Sequence, residues 1–280
     1  MSRKRLALAV AYAILAVIVV VYLFPFFWMI STAVKSKAEL YRYPPTVIPA
    51  APSVDAFISV LVGRRYTHLL ENSLAVALAA VVGGLAVSLL ITYPLTRMAV
   101  TPGFRRGLLG WILSLRFLPP IVVVIPFFDI VRKLGLYDTR MALMLLYTVF
   151  SLPFAVWMLK GFLAEIPMEI EEAAFVDGAT RLRAFFQIIL PQMTPALLAA
   201  GVITFSLTWS EFMFAFILTA SPQSQTFSIG VASLVTQFEI IWNEMAAAGV
   251  ISALVPITLL LLARRYVIMA LTFGAVREKA

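Results

Sequence analysis

The sequence predicts an all-α, polytopic membrane protein, and three observations carry that expectation. Apolar residues make up 62% of the 280 residues and charged residues only 13%, where a soluble domain carries about 25% charged residues. Long apolar runs recur along the whole chain. Lys and Arg sit in short groups between those runs. That is the pattern of membrane loops; a nucleic-acid binder with the same net charge of +8 would gather its cations on one face.

A membrane span needs about 20 mostly apolar residues. Six windows meet this: 7–31, 70–93, 107–131, 141–163, 195–220 and 246–269. The first is too long for a signal peptide and no small-residue cleavage site follows it, so it is expected to be retained. Pro25, Gly83, Gly84, Pro119, Pro120, Pro126, Pro153 and Pro256 fall inside these windows. Such residues are tolerated in a bundle where neighbouring helices satisfy the freed backbone groups. No internal repeat is visible, and residues 1–280 read as one membrane domain.

Direction follows from charge. With the N-terminus inside, the cytoplasmic segments hold 13 Lys and Arg and the external ones 8, with Arg116 inside a span. The excess favours two cytoplasmic termini. Segments 32–69 and 221–245 are then external. Ser53 is placed to cap a short helix there, with Val54, Phe57, Ile58, Leu61 and Val62 on one face. Residues 227–238 read as a second external helix.

Several chemistries are excluded. Cysteine is absent and His68 is the one histidine, so no disulfide framework, thiolate site or multi-histidine metal site can form. No Gly-x-Ser-x-Gly, His-Glu-x-x-His or Walker-type sequence occurs. No metal, no cofactor and no catalytic residue is expected on this chain.

The segment 164–194 is too structured for a connector. Pro167 can begin a helix, Glu169, Glu171 and Glu172 fall in its early turns where the helix dipole favours acids, and Gly178 can end it in a left-handed conformation. A helix of about ten residues is predicted outside the membrane, followed by a shorter one ending near Gln187. Ala173 and Ala174 leave part of its surface flat, which suits close docking on another protein. A helix lying on the bilayer is the other reading, and the acidic face disfavours it.

Glu172-Ala173-Ala174, three residues, Gly178, nine residues and Ile188-x-Leu190-Pro191 resemble the EAA loop of ATP-binding-cassette importer permeases. The likeness continues in Phe24-Pro25-Phe26-x-Trp28, Glu71-Asn72-Ser73, Arg116-x-x-Pro119-Pro120, Leu134-Gly135-Leu136-x-Asp138-Thr139, Trp209-x-Glu211-Phe212 and the closing Leu271-Thr272-Phe273-Gly274-Ala275-Val276-Arg277. These are similar to the carbohydrate-uptake family, and the ending to the smaller six-span permease of maltose-type importers, with Phe273 and Arg277 as departures. The resemblance implies a type I ABC importer permease fold. It implies that Glu171, Glu172, Ala173, Ala174, Asp177 and Gly178 form a coupling helix against an ATPase subunit. It implies further that the tail, with Thr272, Gly274, Ala275 and Arg277, reaches the ATPase dimer. The external helix, through Ser228, Ser233 and Gln237, would face a binding protein.

Ionisable residues inside spans are functional candidates; here they are Arg116, Asp129 and Glu211. Trp209, Glu211 and Phe212 are candidates for the translocation path. In the other reading, Trp209 packs between helices and Glu211 binds backbone donors.

The function expected is that of half of an importer's translocation path, for a sugar or related carbohydrate. Partners would be a second permease, two copies of an ATP-binding subunit carrying ATP and Mg, an extracytoplasmic solute-binding protein and membrane lipid; nucleic acid is excluded. The location would be a prokaryotic inner or plasma membrane. A polyamine, phosphate or amino-acid importer shares the EAA loop and stands as the alternative. A membrane enzyme lacks its catalytic cluster, and an ion-coupled carrier often shows inverted repeats, which are not found.

Overall fold

The computed structural model describes the backbone of residues 3–273 and the side chains of 4–5 and 7–269. Among the described residues the chain is helical without strands, and Val235 and Ile240 form an isolated bridge. In chain order the principal helices are α1 (Arg3–Ala33), α2 (Thr67–Arg97), α3 (Pro102–Ser114), α4 (Pro120–Lys133) and α5 (Arg140–Glu165). They continue as α6 (Met168–Val176), α7 (Arg181–Ala184), α8 (Thr194–Trp209), α9 (Met213–Leu218), α10 (Phe227–Ala232) and α11 (Trp242–Phe273). Helices α1, α2, α5 and α11 are each long and apolar enough to cross a membrane. Two bent pairs raise the number to six where each pair is one span.

The expected span 107–131 is not one continuous helix. Residues 102–117 and α4 meet at 100°, because Leu118 and Pro119 turn extended, with ψ of 123° and 133°. Pro119 and Pro120 remove two donors, and a proline pushes the residue before it out of the helical region. The expected span 195–220 ends early too. Helix α8 stops at Trp209, and α9 resumes at Met213. Before α8, the stretch Arg181–Gln192 meets it at 69°.

The chain divides into two compact units, 1–67 with 230–254, and 68–229 with 255–280. In the first, Ala33, Ala56 and Ala247 pack together, and Met29 lies against Gly249. Glu244 accepts from Ser59 Oγ at 2.8 Å and pairs with Arg64 Nε at 2.5 Å. Ser53 Oγ accepts the Asp55 N–H at 3.0 Å, so it opens the turn, while Val54 is the cap residue of a helix over Asp55–Ile58. The buried positions there are Ala56 and Val60; Val54, Ile58 and Val62, of the apolar face read from the sequence, are exposed. The helix expected over 227–238 stops at Ala232. Thr236 Oγ1 accepts the N–H groups of Phe238 and Glu239, at 3.3 and 3.0 Å. A threonine hydroxyl of this kind offers the backbone an alternative to the helix ladder.

In the second unit, Val76 and Ala80 of α2, Val124 and Val131 of α4, Leu143, Leu146 and Tyr147 of α5, and Phe214 and Leu218 of α9 form one core. Helices α2 and α5 approach closely where Gly83 and Gly84 face Thr148 and Ser151. Small residues permit this; backbones in a membrane bundle approach through such stripes. A further core joins Tyr93, Leu159, Leu163, Phe185, Ile189, Met193, Ala196 and Ala200, and it positions the segment described next.

Candidate coupling site

Helix α6 is set by its ends. Pro167, with φ −57° and ψ 137°, is the residue just before the helix rather than its first helical residue. Glu169 and Glu171 occupy the first turn. At the other end Gly178 takes φ +84°. Its N–H bonds to Phe175 O at 3.1 Å, and the Ala179 N–H to Ala174 O at 2.9 Å. This double closure is what a left-handed residue after a helix provides. Thr180 Oγ1 then accepts the Arg183 N–H at 3.3 Å and opens α7, which continues through a wide turn over Phe185–Ile189.

The six residues expected to carry coupling divide between two faces. Glu171 and Ala174, three apart and so stacked on one side of a helix, are buried, Glu171 to 2% exposure. Glu172, Ala173, Asp177 and Gly178 are exposed, and Val176 beside them is 88% exposed. A shallow hollow of about 320 Å³ runs past Ile170, Ala173, Asp177 and Arg183.

The buried carboxylate is held from α2. Arg97 Nε faces Glu171 Oε1 at 2.5 Å, an ion pair without hydrogen-bond alignment. Tyr93 OH donates to Glu171 Oε2 at 3.1 Å, and Arg97 Nη2 donates to Ile166 O at 2.7 Å. The Tyr93 ring meets Phe185 edge-on at 4.8 Å. Charges this deep are tolerated where they are paired. Arg97 and Tyr93 were not singled out from the sequence. Their spacing of four on the last turn of a span was the available signal.

Of the other candidates, Trp209 is buried and stacked on Phe205, ring centroids 5.5 Å apart. The Glu211 carboxylate accepts from Phe214 N–H at 3.0 Å, Ala215 N–H at 3.4 Å and Tyr147 OH at 2.5 Å. It therefore caps α9 and ties it to α5. Phe212 is exposed and stacks on Phe216 at 5.3 Å. Arg116 and Asp129 are both exposed, and Arg116 lies over the Phe154 ring at 5.9 Å.

Ser228 is half-buried and donates to Glu211 O at 2.9 Å. Ser233 and Gln237 are exposed; Ser233 Oγ bonds Gly230 O at 2.8 Å and shares a contact with Tyr66 OH at 2.7 Å. The neighbouring Phe238 is 96% exposed. Within the second unit, Asn72 Nδ2 donates to Pro222 O and Gln225 O, each at 2.9 Å, and Ser73 Oγ accepts the Phe227 N–H at 2.7 Å. Asp138, at φ +59°, accepts from Ala220 and Ser221 N–H, at 2.8 and 2.9 Å, and from Ser224 Oγ. Burial pushes its carboxyl up, but the bonds from Ser224, Ala220 and Ser221 outweigh that and hold it well below the usual carboxylate range. In the tail, Thr272 lies in the last turn of α11. Gly274, Ala275 and Arg277 lie outside the described residues.

Comparison with known proteins adds identity of kind. A family model described as the binding-protein-dependent transport system inner membrane component matches residues 84–271. The sulfoquinovosyl glycerol transport system permease protein SmoH of Agrobacterium fabrum is 31% identical over 91% of this chain and 89% of that protein. The trehalose/maltose transport system permease protein MalG of Thermococcus litoralis is 30% identical over 98% of this chain and 97% of its own length. Among solved structures, a bacterial ABC transporter that imports the acidic polysaccharide alginate contains a chain of TM-score 0.76 at 19% identity, over 95% of this chain and 98% of that one. That likeness concerns the fold.

Proposed function

The chain belongs to the family of inner-membrane components of binding-protein-dependent transport systems, and from that premise we propose that it forms half of the translocation path of a carbohydrate importer. It is a multi-pass membrane subunit, a permease and not an enzyme. ATP and Mg are bound by two copies of a separate ATPase subunit, a second permease completes the path, and an external binding protein delivers the solute. Both termini are cytoplasmic, in keeping with the Lys and Arg distribution.

The observation that carries this reading is the division of α6. One face is anchored through Glu171 and Ala174, and the other offers Glu172, Ala173, Val176, Asp177 and Gly178. A helix so held and so exposed suits docking in a cleft of a partner. ATP binding then biases a two-state element, and α6 passes that bias to the spans. Phe212 presents its ring to the path, while Trp209 and Glu211 shape the wall behind it. The exposed residues 233 and 235–238 face the binding protein, and residues 272–280 reach the ATPase dimer. The sugar class is supported by relatives named for trehalose, trehalose/maltose and diacetylchitobiose, each 30–32% identical over more than nine-tenths of this chain.

The test is reconstitution with the partner subunits. ATPase activity is expected to rise when the binding protein is loaded with a saccharide. A rise with a polyamine, phosphate or amino acid instead would overturn the sugar assignment. Replacing Glu172 by Lys should abolish the stimulation and leave the chain in the membrane. Cysteine labels, introduced into a chain with none of its own, test the orientation. Labelling of position 237 only from the cytoplasmic side would reverse it.

A further inference from the structure

We infer that Arg97 and Tyr93 are positioning residues that fasten the coupling helix to α2, so that a displacement of α6 reaches that span as a rigid movement. This rests on the reading of α6 as the element that meets the ATPase.

The inward side of α6 is narrow. Glu171 and Ala174 are its buried residues, and Ala174 offers one methyl group. Of these two buried side chains, the Glu171 carboxylate is therefore the one that can take up a sideways force through polar contacts. That carboxylate is 2% exposed, so it cannot exchange its partners for water without a large cost. Both of those partners stand on one helix. Tyr93 and Arg97 are four apart on the last turn of α2, which puts them on the same face. They hold one oxygen each, Arg97 Nε facing Oε1 and Tyr93 OH donating to Oε2.

Arg97 makes a second connection that an isolated ion pair would lack. Its Nη2 donates to Ile166 O, in the link that leads into α6. One guanidinium thus grips the coupling helix at its entrance and at its first turn. The planar fork of an arginine reaches both points at once, as an ion pair with Glu171 and a hydrogen bond to Ile166 O, and a lysine ammonium does not. The Tyr93 ring against Phe185 ties the segment that follows α6 to the same turn of α2. From there α2 runs to Gly83 and Gly84, where it lies directly against Thr148 and Ser151 of α5. Force applied at α6 enters the bundle by this route.

Apolar side chains would hold the helix about as stably, since replacing a buried ion pair by packed hydrophobic residues is often neutral. What apolar packing would not supply is a connection of fixed direction. The hydrogen bonds from Tyr93 OH to Glu171 and from Arg97 Nη2 to Ile166 O resist sliding of α6 along the end of α2, and smooth methyl surfaces do not.

The experiment uses the full transporter with its ATPase subunits, all freed of cysteine. Spin labels go at Leu90→Cys on α2 and Met168→Cys on α6, both exposed positions and neither among the docking residues, and the distance between them is read by electron paramagnetic resonance. With Arg97 and Glu171 intact, one narrow distance is expected, unchanged between the nucleotide-free and ATP-bound states. Arg97→Met and Glu171→Gln should broaden it severalfold. Arg97→Lys, which keeps the charge but loses the fork, should recover only part of the narrowing. A distance that shifts with ATP in the intact chain overturns the inference, and this holds even if the variants fail to assemble. So does a narrow distance in Glu171→Gln. A crosslink from Glu172→Cys to the ATPase subunit, made in parallel, reads the underlying assignment separately. Its absence in the intact chain would remove the coupling role of α6 itself.

Discussion

Two bends interrupt the helices of the second unit, and they are held differently. At the first, between α3 and α4, residues 116–120 are all exposed, Phe117 to 86%, and a cavity of about 320 Å³ opens beside Leu118, Phe127 and Phe150. At the second, before α8, Phe185, Ile189, Met193 and Ala196 are buried in one cluster, and the Arg97–Glu171–Tyr93 contacts lie beside it. Both bends contain proline, so proline alone does not decide what a break in a helix does. Burial decides it. Segments with few buried contacts open at low free energy, and packed ones open only with the domain. The first bend has the loose packing of a hinge and the second the close packing of a fixed elbow.

The comparison can be broken from the elbow outward. Glu171→Ala leaves the buried Arg97 charge without its counter-ion and should cost about 3–5 kcal/mol, read as a lower midpoint in detergent unfolding. Met193→Ala empties a fully buried site and should cost about 2–5 kcal/mol by the same measurement. An effect of either below about 1 kcal/mol would mean the elbow is not packed as described. Gly178→Val should cost about 1–3 kcal/mol of backbone strain. No atom lies within 4 Å of the added Cβ, so the penalty comes from conformation alone, and Gly178→Asn should recover most of it.

Smaller effects test the hinge. Asp138 anchors the stretch after α4 to residues 220–224. Its folded carboxyl titrates below the ordinary range, so its stabilisation is fully present above the unfolded value near pH 4. It is lost as pH falls through the folded value. Asp138→Asn should therefore raise local hydrogen exchange around 219–224 by about 1 kcal/mol, equally at pH 6 and pH 8. A difference appearing only in that neutral range would contradict the assignment. Last, Leu118→Ala at the open bend should stay within about 0.5 kcal/mol. A loss comparable to Met193→Ala would erase the distinction between the two bends.

The legibility of these features in the sequence follows the same division. Spans are legible because the bilayer demands a long apolar run; α2, α5 and α11 contain the windows 70–93, 141–163 and 246–269 and extend past them. The extra turns are polar at Arg97 and Trp242–Glu244, residues that hydropathy counts against a span but that a helix ladder accepts. The ends of α6 could be read because Pro167 and Gly178 act locally. The inward turn of Glu171 could not. An acidic residue reads as solvent-facing, and its cation comes from Arg97, far away in sequence. Pro119 and Pro120 announced a kink, but the angle of 100° depends on what packs around it. The external helix was read too long because the apolar pattern of 227–238 continues past Ala232. Past that point the Thr236 hydroxyl takes the N–H groups of Phe238 and Glu239, a local alternative to the helix that periodicity does not register.

The bend between α3 and α4 also bears on which compartment the chain ends occupy. With 13 and 14 residues, the two helices rise about 20 Å each, short of the roughly 30 Å of a hydrocarbon layer. Neither crosses alone. Together they cross if the bend stays open and return to the side they entered if it closes. Where helices α1, α2, α5 and α11, each long and apolar enough to cross, all do so, they contribute an even number of crossings. Each bent pair adds one or none, so the two termini share a compartment only if both pairs cross or neither does. Sidedness is therefore a question of parity, and an exposed pair of prolines is one of the two places where that parity is set.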